Sequence, residues 1–256
     1  MYLREIHTSR DIAALHAFIR ENPLGVFTTA LHAPPHAFIQ ASHIPWVLDV
    51  EDTGDLGTLR GHMARANPQA KAIIHTLNLS NPPTPLILGS QTMILFTSPH
   101  HHYISPKFYV HTKPATGKVV PTWDYAAVQV YGEATVYYHL DDEQTSAFLD
   151  AQVTDLTDIE ELKMGLGDPW RVSDAPASYV NTLKKGIIGI EVRVQSIAGK
   201  YKMSQELGRG DREGVVQGMA DLGDDTAIKV AEMVQERGEL EDRRKEEKGR
   251  GLQSSS

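Results

Sequence analysis

Between residues 128 and 138 the apolar side chains of Val128, Val130, Ala134 and Val136 alternate with Gln129, Glu133 and Thr135. A period of two predicts a strand with one buried face. Ile188, Ile190, Val192 and Val194 alternate in the same way with Glu191, Arg193 and Gln195. Shorter β-type segments occupy 25–31, 36–42 and 44–50, set apart by Pro, Gly and acidic turns. Their connections are too short to hold crossover helices, so antiparallel hairpins are expected. Helical spacing shows elsewhere: Thr8 and Asp11 resemble a capping box ahead of Ile12, Leu15, Phe18 and Ile19, and the pattern stops at Asn22-Pro23. Helical patterns also fill 142–153 and 176–185. The sum is a mainly β fold, an antiparallel barrel with flanking helices.

Residues 77–90 place three prolines between two β-type runs, which predicts an exposed loop insertion away from the chemistry. From about residue 224 a helical pattern runs into a segment of mixed charge with few apolar residues. The expectation is one domain over 1–222 and, over 223–256, a solvated helical tail fading into disorder and dispensable for the fold. No internal repeat is visible.

With 256 residues and 41% hydrophobic content, the chain can bury a sizeable core. Its 25 basic and 33 acidic residues give a formal charge of −8, which argues against direct DNA binding through charge. No helix-turn-helix signature or basic recognition helix supports it either. The absence of cysteine excludes disulfides, thiolate metal sites and a cysteine nucleophile. Charges in the first fifteen residues and the lack of any apolar run near 18 residues predict an intracellular, cytoplasmic protein with no membrane span. The Asn78-Leu79-Ser80 sequon is expected to stay unmodified.

Common nucleotide, metalloprotease and hydrolase signatures are missing: there is no G-x-x-x-x-G-K-[ST], G-x-G-x-x-G, H-E-x-x-H or G-x-S-x-G. What stands out is a set of groups suited to an anion. In TLRGHMARANPQ (58–69), Arg65 can fork two donors onto a phosphate, Asn67 can add a neutral hydrogen bond, and Gly61 allows backbone close to a ligand. The alternative for Arg65 is an ordinary surface ion pair. His62 can donate to a phosphate or a carbonyl, or can be a satisfied structural histidine. In SPHHHYISPKFY (98–109), Ser105 can join the phosphate contacts. His100 and His102 are weak metal candidates, because adjacent histidines on a strand face opposite ways and a third ligand would have to come from elsewhere. Trp123 in VVPTWDYAAVQVYG (119–132) can cover a planar ligand or pack in the core. In GKYKMSQELGRGDREG (199–214), Lys200 and Lys202 lie on one side of an extended segment.

Taken together, these four segments resemble the PaiB-like FMN-binding proteins, a family of negative transcriptional regulators, over about residues 1–219. The resemblance implies an FMN-binding split β-barrel, a homodimer with flavin clefts shared by two subunits, and a cofactor-binding set of His62, Met63, Arg65, Asn67, Tyr103, Ser105, Lys107, Thr122, Trp123, Lys202 and Gln205. His43 matches the family's His-x-Pro element, with a ligand or a structural role. Within this set Lys202 would sit near the N1/O2 edge of the flavin, Gln205 at its pyrimidine edge and Thr122 at its polar rim. The chain departs from the family pattern at Asp124 and Glu206, where the family has amides, and at Phe108, where it has Trp. The expected function is FMN binding with flavin-dependent redox chemistry of reductase or oxidase type, NAD(P)H being a candidate donor, or with sensing. Haem binding or breakdown, and non-enzymatic regulation of transcription, are the other readings.

Overall fold

The computed structural model describes residues 1–52, 54–80 and 86–253. In chain order its elements are β1 (Thr8–Ser9), α1 (Ile12–Glu21), β2 (Leu24–Ala30), β3 (Ile39–Pro45), β4 (Val47–Asp49), β5 (Thr58–Ala64), α2 (Pro68–Ser80), β6 (Thr92–Thr97), β7 (His102–Ile104), α3 (Thr112–Thr116), β8 (Thr122–Tyr137), α4 (Glu143–Met164), α5 (Ala177–Lys184), β9 (Ile187–Lys202), α6 (Arg209–Ala220) and α7 (Asp225–Gln253). They form two compact units. The larger comprises Asp11–Phe96 and Gln129–Ile197; the smaller comprises Met1–Arg10, Thr97–Val128 and Ala198–Ser256.

In the larger unit the strand order is β3-β2-β6-β8-β9-β5-β4. The β2–β3 pair runs antiparallel from Leu24↔Pro45 to Ala30↔Ile39, and β5–β9 from Thr58↔Arg193 to Ala64↔Ile187. The expected alternation holds: Val130, Ile188, Ile190 and Val192 are buried with Phe27, Ile44, Leu59 and Ile94. Strand β3 starts at Ile39, so His36 and Phe38 of the expected 36–42 segment precede it. Helix α1 is capped by Asp11, whose Oδ1 accepts from the Ala14 N–H at 3.2 Å, whereas Thr8 belongs to β1. The capping-box reading is therefore corrected to a single cap. Helix α4 extends well past the expected 142–153 and is capped by Asp142, which accepts from the Thr145 N–H at 3.0 Å. Its Phe148 stacks on Tyr137 at 4.0 Å, in a space that a side chain on Gly189 would occupy.

Two corrections concern the loop expected over 77–90. Its first four residues complete α2, which buries Ala70, Ala72, Ile73 and Leu77. Past residues 81–85, which lie outside the described residues, Leu88 is buried and its N–H donates to the Ala134 carbonyl at 2.8 Å.

In the smaller unit β1 pairs with β9 (Thr8↔Lys200) and β7 with β8 (Tyr103↔Trp123). Gly214 and Gly218, one turn apart on α6, let the chain at Phe108 lie directly on the helix. A Cβ on Gly214 would overlap the Phe108 carbonyl oxygen, and one on Gly218 the Phe108 ring. The solvated-tail expectation is corrected for the inner half of α7. Ala227, Val230, Ala231 and Val234 are buried at helical spacing, Arg237 stacks over Tyr201 at 3.6 Å, and Arg212 pairs with Asp242.

Candidate functional site

The β7–β8 register sets Tyr103 directly opposite Trp123, with ring centroids 6.3 Å apart in an edge-to-face arrangement. The Trp123 Nε1–H donates to His101 Nδ1 at 3.2 Å. Trp123 keeps 50% of its surface exposed and Tyr103 44%, so the core-packing alternative for Trp123 is overturned. These rings form an outward-facing aromatic platform in the smaller unit, suited to a planar ligand.

Beside the start of β8, Lys202 ends β9. Its ammonium donates to Thr122 Oγ1 at 2.5 Å and to the Trp123 carbonyl at 3.1 Å, and it pairs with Asp124 at 3.3 Å and Glu206 at 3.9 Å. Asp124 is fully buried, and its second oxygen accepts from Ser204 Oγ at 2.7 Å. Glu206 is bonded in turn to the buried His7 at 3.0 Å. The two carboxylates that replace family amides thus converge on the one lysine expected to face a flavin. The Lys202/Glu206 spacing of four was a signal in the sequence for one contact; nothing local announced Asp124 or His7 as further members.

Burial pushes the Asp124 carboxyl up to about 6, against the pull of the Ser204 hydrogen bond and Lys202, while Glu206 adds to the rise. Glu206 moves the other way: burial raises it, but its backbone N–H, His7 and Lys202 together hold it below the usual carboxylate range. Tyr109 is pushed up to about 12 by burial and then by the charges of Asp124, Glu206 and Asp211. Ionised Asp124 therefore costs the fold stability. That cost is present above about pH 6 and fades as pH falls toward the ordinary value of 3.8, whereas the Glu206 contribution is lost as pH falls below 4.5. Asp124→Asn, which cannot ionise, is expected to be more stable than wild type at pH 7.5, by up to about 3 kcal/mol, with the advantage about halved at pH 5 and gone only below about pH 4. Thermal unfolding of both proteins across that range checks it; a difference independent of pH would refute the assignment.

In the larger unit β5 alternates its side chains. Arg60 and His62 share one face, and Leu59 and Met63 are buried on the other. Met63 is thus a core residue and cannot line one surface with His62. Gly61 is used by protein rather than ligand: a Cβ there would lie 2.9 Å from the Trp46 ring. The His62 ring is largely buried, burial holds its pKa below the usual value, and its Nδ1 is buried without a partner. Arg65 donates through one terminal nitrogen to the carbonyls of Tyr138 (2.6 Å) and Ile187 (3.4 Å), while its Nε is buried without a partner. The surface-ion-pair alternative for Arg65 is not what the chain adopts. Asn67 is taken up by structure: its amide donates to Ser42 Oγ at 2.9 Å and its carbonyl accepts from the Gln69 N–H at 2.9 Å, capping α2.

Other expected residues also hold local structure. Ser105 accepts from the Lys107 N–H at 3.2 Å and caps a single 3-10 turn, leaving the Lys107 side chain exposed. Gln205 is buried; its amide donates to the Tyr201 carbonyl at 2.6 Å and accepts from the Met203 N–H at 2.7 Å, which ties the turn after β9 rather than leaving the group free for a ligand edge. His43 is exposed on β3. His102 Nδ1 bonds the Tyr103 carbonyl at 2.7 Å, and His100 Nδ1 is buried without a partner. Among the described residues no group of three His, Asp or Glu side chains is arranged to hold a metal. No described helix is long and apolar enough to cross a membrane.

Residues 1–196 match the family model described as "Putative FMN-binding domain". The chain is 50% identical over 251 residues to an uncharacterised protein of Emericella nidulans, covering 95% of this chain and all of that protein. It is 23% identical over 237 residues to the protease synthase and sporulation protein PAI 2 of Bacillus subtilis, covering 93% of this chain and 98% of that one. Among solved structures it is similar to a flavocytochrome of Azotobacter vinelandii, with a TM-score of 0.43, 12% identity and coverage of 78% of this chain and 72% of that one. With an antiparallel sheet flanked by helices and a family match over most of its length, the chain belongs to the PaiB-like FMN-binding domain family, whose cofactor is FMN.

Proposed function

We propose that this protein binds FMN as a working redox cofactor, with the phosphate held by Arg65 and a neighbouring polar contact from His62. The carrying observation is the pair of buried, unpartnered groups, His62 Nδ1 and Arg65 Nε, within one family motif. Leaving such groups unsatisfied costs about 1–3 kcal/mol each, so a ligand that accepts from them recovers that loss. The donor set fits a phosphate. Bound FMN supplies one- and two-electron transfer through its ring. The protein's residues supply orientation: Arg65 is braced by two backbone carbonyls. A homodimer with NAD(P)H as electron donor completes this reading.

The test is FMN titration of wild type and Arg65→Ala. Loss of a charge-assisted bond to phosphate is expected to weaken binding about 10- to 150-fold, or about 1.5–3 kcal/mol. Because Arg65 also braces the Tyr138 and Ile187 carbonyls, the melting temperature is followed in parallel, and Arg65→Lys, which keeps charge but not the fork, should fall between the two. Equal titration curves for wild type and Arg65→Ala would sink the phosphate assignment. A Soret band in purified protein, with no flavin spectrum, would overturn the cofactor reading in favour of haem.

A further inference from the structure

We infer that β3 is an edge through which two copies of this chain join, the strand Ile39–Pro45 pairing antiparallel with the same strand of a second copy about Ala41. The inference rests on backbone geometry within the larger unit and does not depend on the flavin reading.

Strand β3 stands at one end of the strand order and, among the described residues, pairs only with β2. Two bonds flanking this hairpin fix which backbone groups are already engaged. The Leu31 N–H donates to the Phe38 carbonyl at 2.8 Å, and the Trp46 N–H to the Pro23 carbonyl at 2.9 Å. Bonded and non-bonded pairs alternate along an antiparallel ladder, so in this register the bonded pairs are Gly25–Ile44, Phe27–Ser42 and Thr29–Gln40. The N–H and C=O groups of Ile39, Ala41 and His43 therefore point away from β2, along the open edge. Pro45, next in that set, has no N–H to offer and closes the run.

The side chains of the same three residues are exposed, Ile39 by 65%. The register carries their face onto Val26 and Thr28 of β2 and, through Val26↔Leu95 and Thr28↔Met93, onto β6. Those four residues are partly exposed, and no Asp, Glu, Lys or Arg interrupts the face. Sheets guard an open edge with a lysine, an inward-pointing charge or a bulge. Strand β3 has none of these: its sequence is uncharged, and its register with β2 is unbroken from Leu24↔Pro45 to Ala30↔Ile39.

Backbone donors and acceptors in a row select an extended strand as the occupant, and two features select a second copy. Ala41 is the middle of the three outward-facing residues. An identical strand laid antiparallel about it sets Ile39 of each copy opposite His43 of the other, so each outward N–H meets a carbonyl, and the small alanine lies on the two-fold axis. Charge points the same way. Each chain carries a formal −8, so copies repel over most of their surface, and an uncharged face is where their approach costs least.

The experiment uses the absence of native cysteine, which lets a single introduced thiol report the contact without background. Ala41→Cys puts two thiols across the axis, where the Cα atoms of a bonded pair lie about 5.5 Å apart, inside the span of a disulfide. Ile39→Cys is the register control: its two copies are four residues out of step, about 14 Å apart along the strand, and out of disulfide reach. Both positions are exposed, so neither thiol disturbs the core. Under mild oxidation of the full-length protein, Ala41→Cys should run as a covalent dimer on a non-reducing gel and Ile39→Cys as a monomer. Ala41→Lys, which sets two ammonium groups against each other across the axis, should weaken association about fivefold or more in sedimentation equilibrium. A monomeric band for Ala41→Cys, or equal cross-linking of both cysteine variants, overturns the inference even if the protein sediments as a dimer. An unchanged dissociation constant for Ala41→Lys likewise counts against it. None of these measurements involves FMN, so failure of the interface and failure of the flavin reading are told apart.

Discussion

A chain ending at Gly223 is expected to lose most of its stability, with a large drop in melting temperature. Removing α7 uncovers the apolar seam to which it contributes Ala227, Val230, Ala231 and Val234. Burying each valine is worth about 1.5–3 kcal/mol, so the two valines alone account for about 3–6 kcal/mol. The truncation also removes Asp242 from Arg212 and Arg237 from the Tyr201 ring. Against the usual 5–15 kcal/mol of a folded domain, that loss reaches the whole margin. Thermal unfolding of the two proteins decides it: an unchanged melting temperature would show that α7 contributes nothing to the fold. Val234→Asp in the full chain should reproduce much of the loss, because it places an unpaired carboxylate in the same seam.

Gly214→Ala is expected to destabilise the protein even though alanine is the better helix former. Helix propensity alone predicts a gain of about 1 kcal/mol in the middle of α6. The added methyl, however, overlaps the Phe108 carbonyl oxygen, a backbone atom that cannot swing aside as a flexible side chain could. Forced overpacking of this kind costs about 1–3 kcal/mol and occasionally more, and contact with a backbone atom puts it at the upper end, so the net effect should be a loss of up to about 2 kcal/mol. Gly208→Ser provides the contrast. A Cβ at Gly208 meets nothing within 4 Å, and the N-cap of α6 has no side-chain bond, so serine there should be neutral or stabilising by a few tenths of a kcal/mol. A melting temperature raised by Gly214→Ala would mean that Phe108 does not sit against α6.

Family motifs pointed to the segments that carry the candidate site but misassigned several side chains within them. Met63 and Gln205 stand in the expected motifs, yet one packs in the core and the other is consumed by its own turn. Asn67 caps the helix that its own motif begins. A short polar side chain next to a turn has a backbone partner at hand, and that local bond competes with any ligand. His62, on β5, and Arg65, just after it, keep one buried ring or guanidinium nitrogen each without a partner, although Arg65 spends its terminal nitrogen on two backbone carbonyls.

The amino-acid sequence by itself determined most of β2, β3 and β4, the alternating stretches of β8 and β9, α1, α5 and the start of α4, since each rests on a local period of two or 3.6 and on turn residues nearby. It also held the seam of α7 in the spacing of Ala227, Val230, Ala231 and Val234, but a surrounding run of charge masked four small apolar residues. Helix α2 was hidden for a related reason: prolines just beyond it outweighed its helical spacing. Only the tertiary structure decided what those elements enclose. Asp124 and Lys202 stand 78 positions apart, and His7 and Glu206 199 apart, so no local pattern could pair them. Their meeting depends on the start of β8 lying beside the end of β9 and on a left-handed serine turning Glu206 back toward the lysine. A buried ion cluster is a property of which segments are packed together, because its charges are tolerated only where every partner arrives at once.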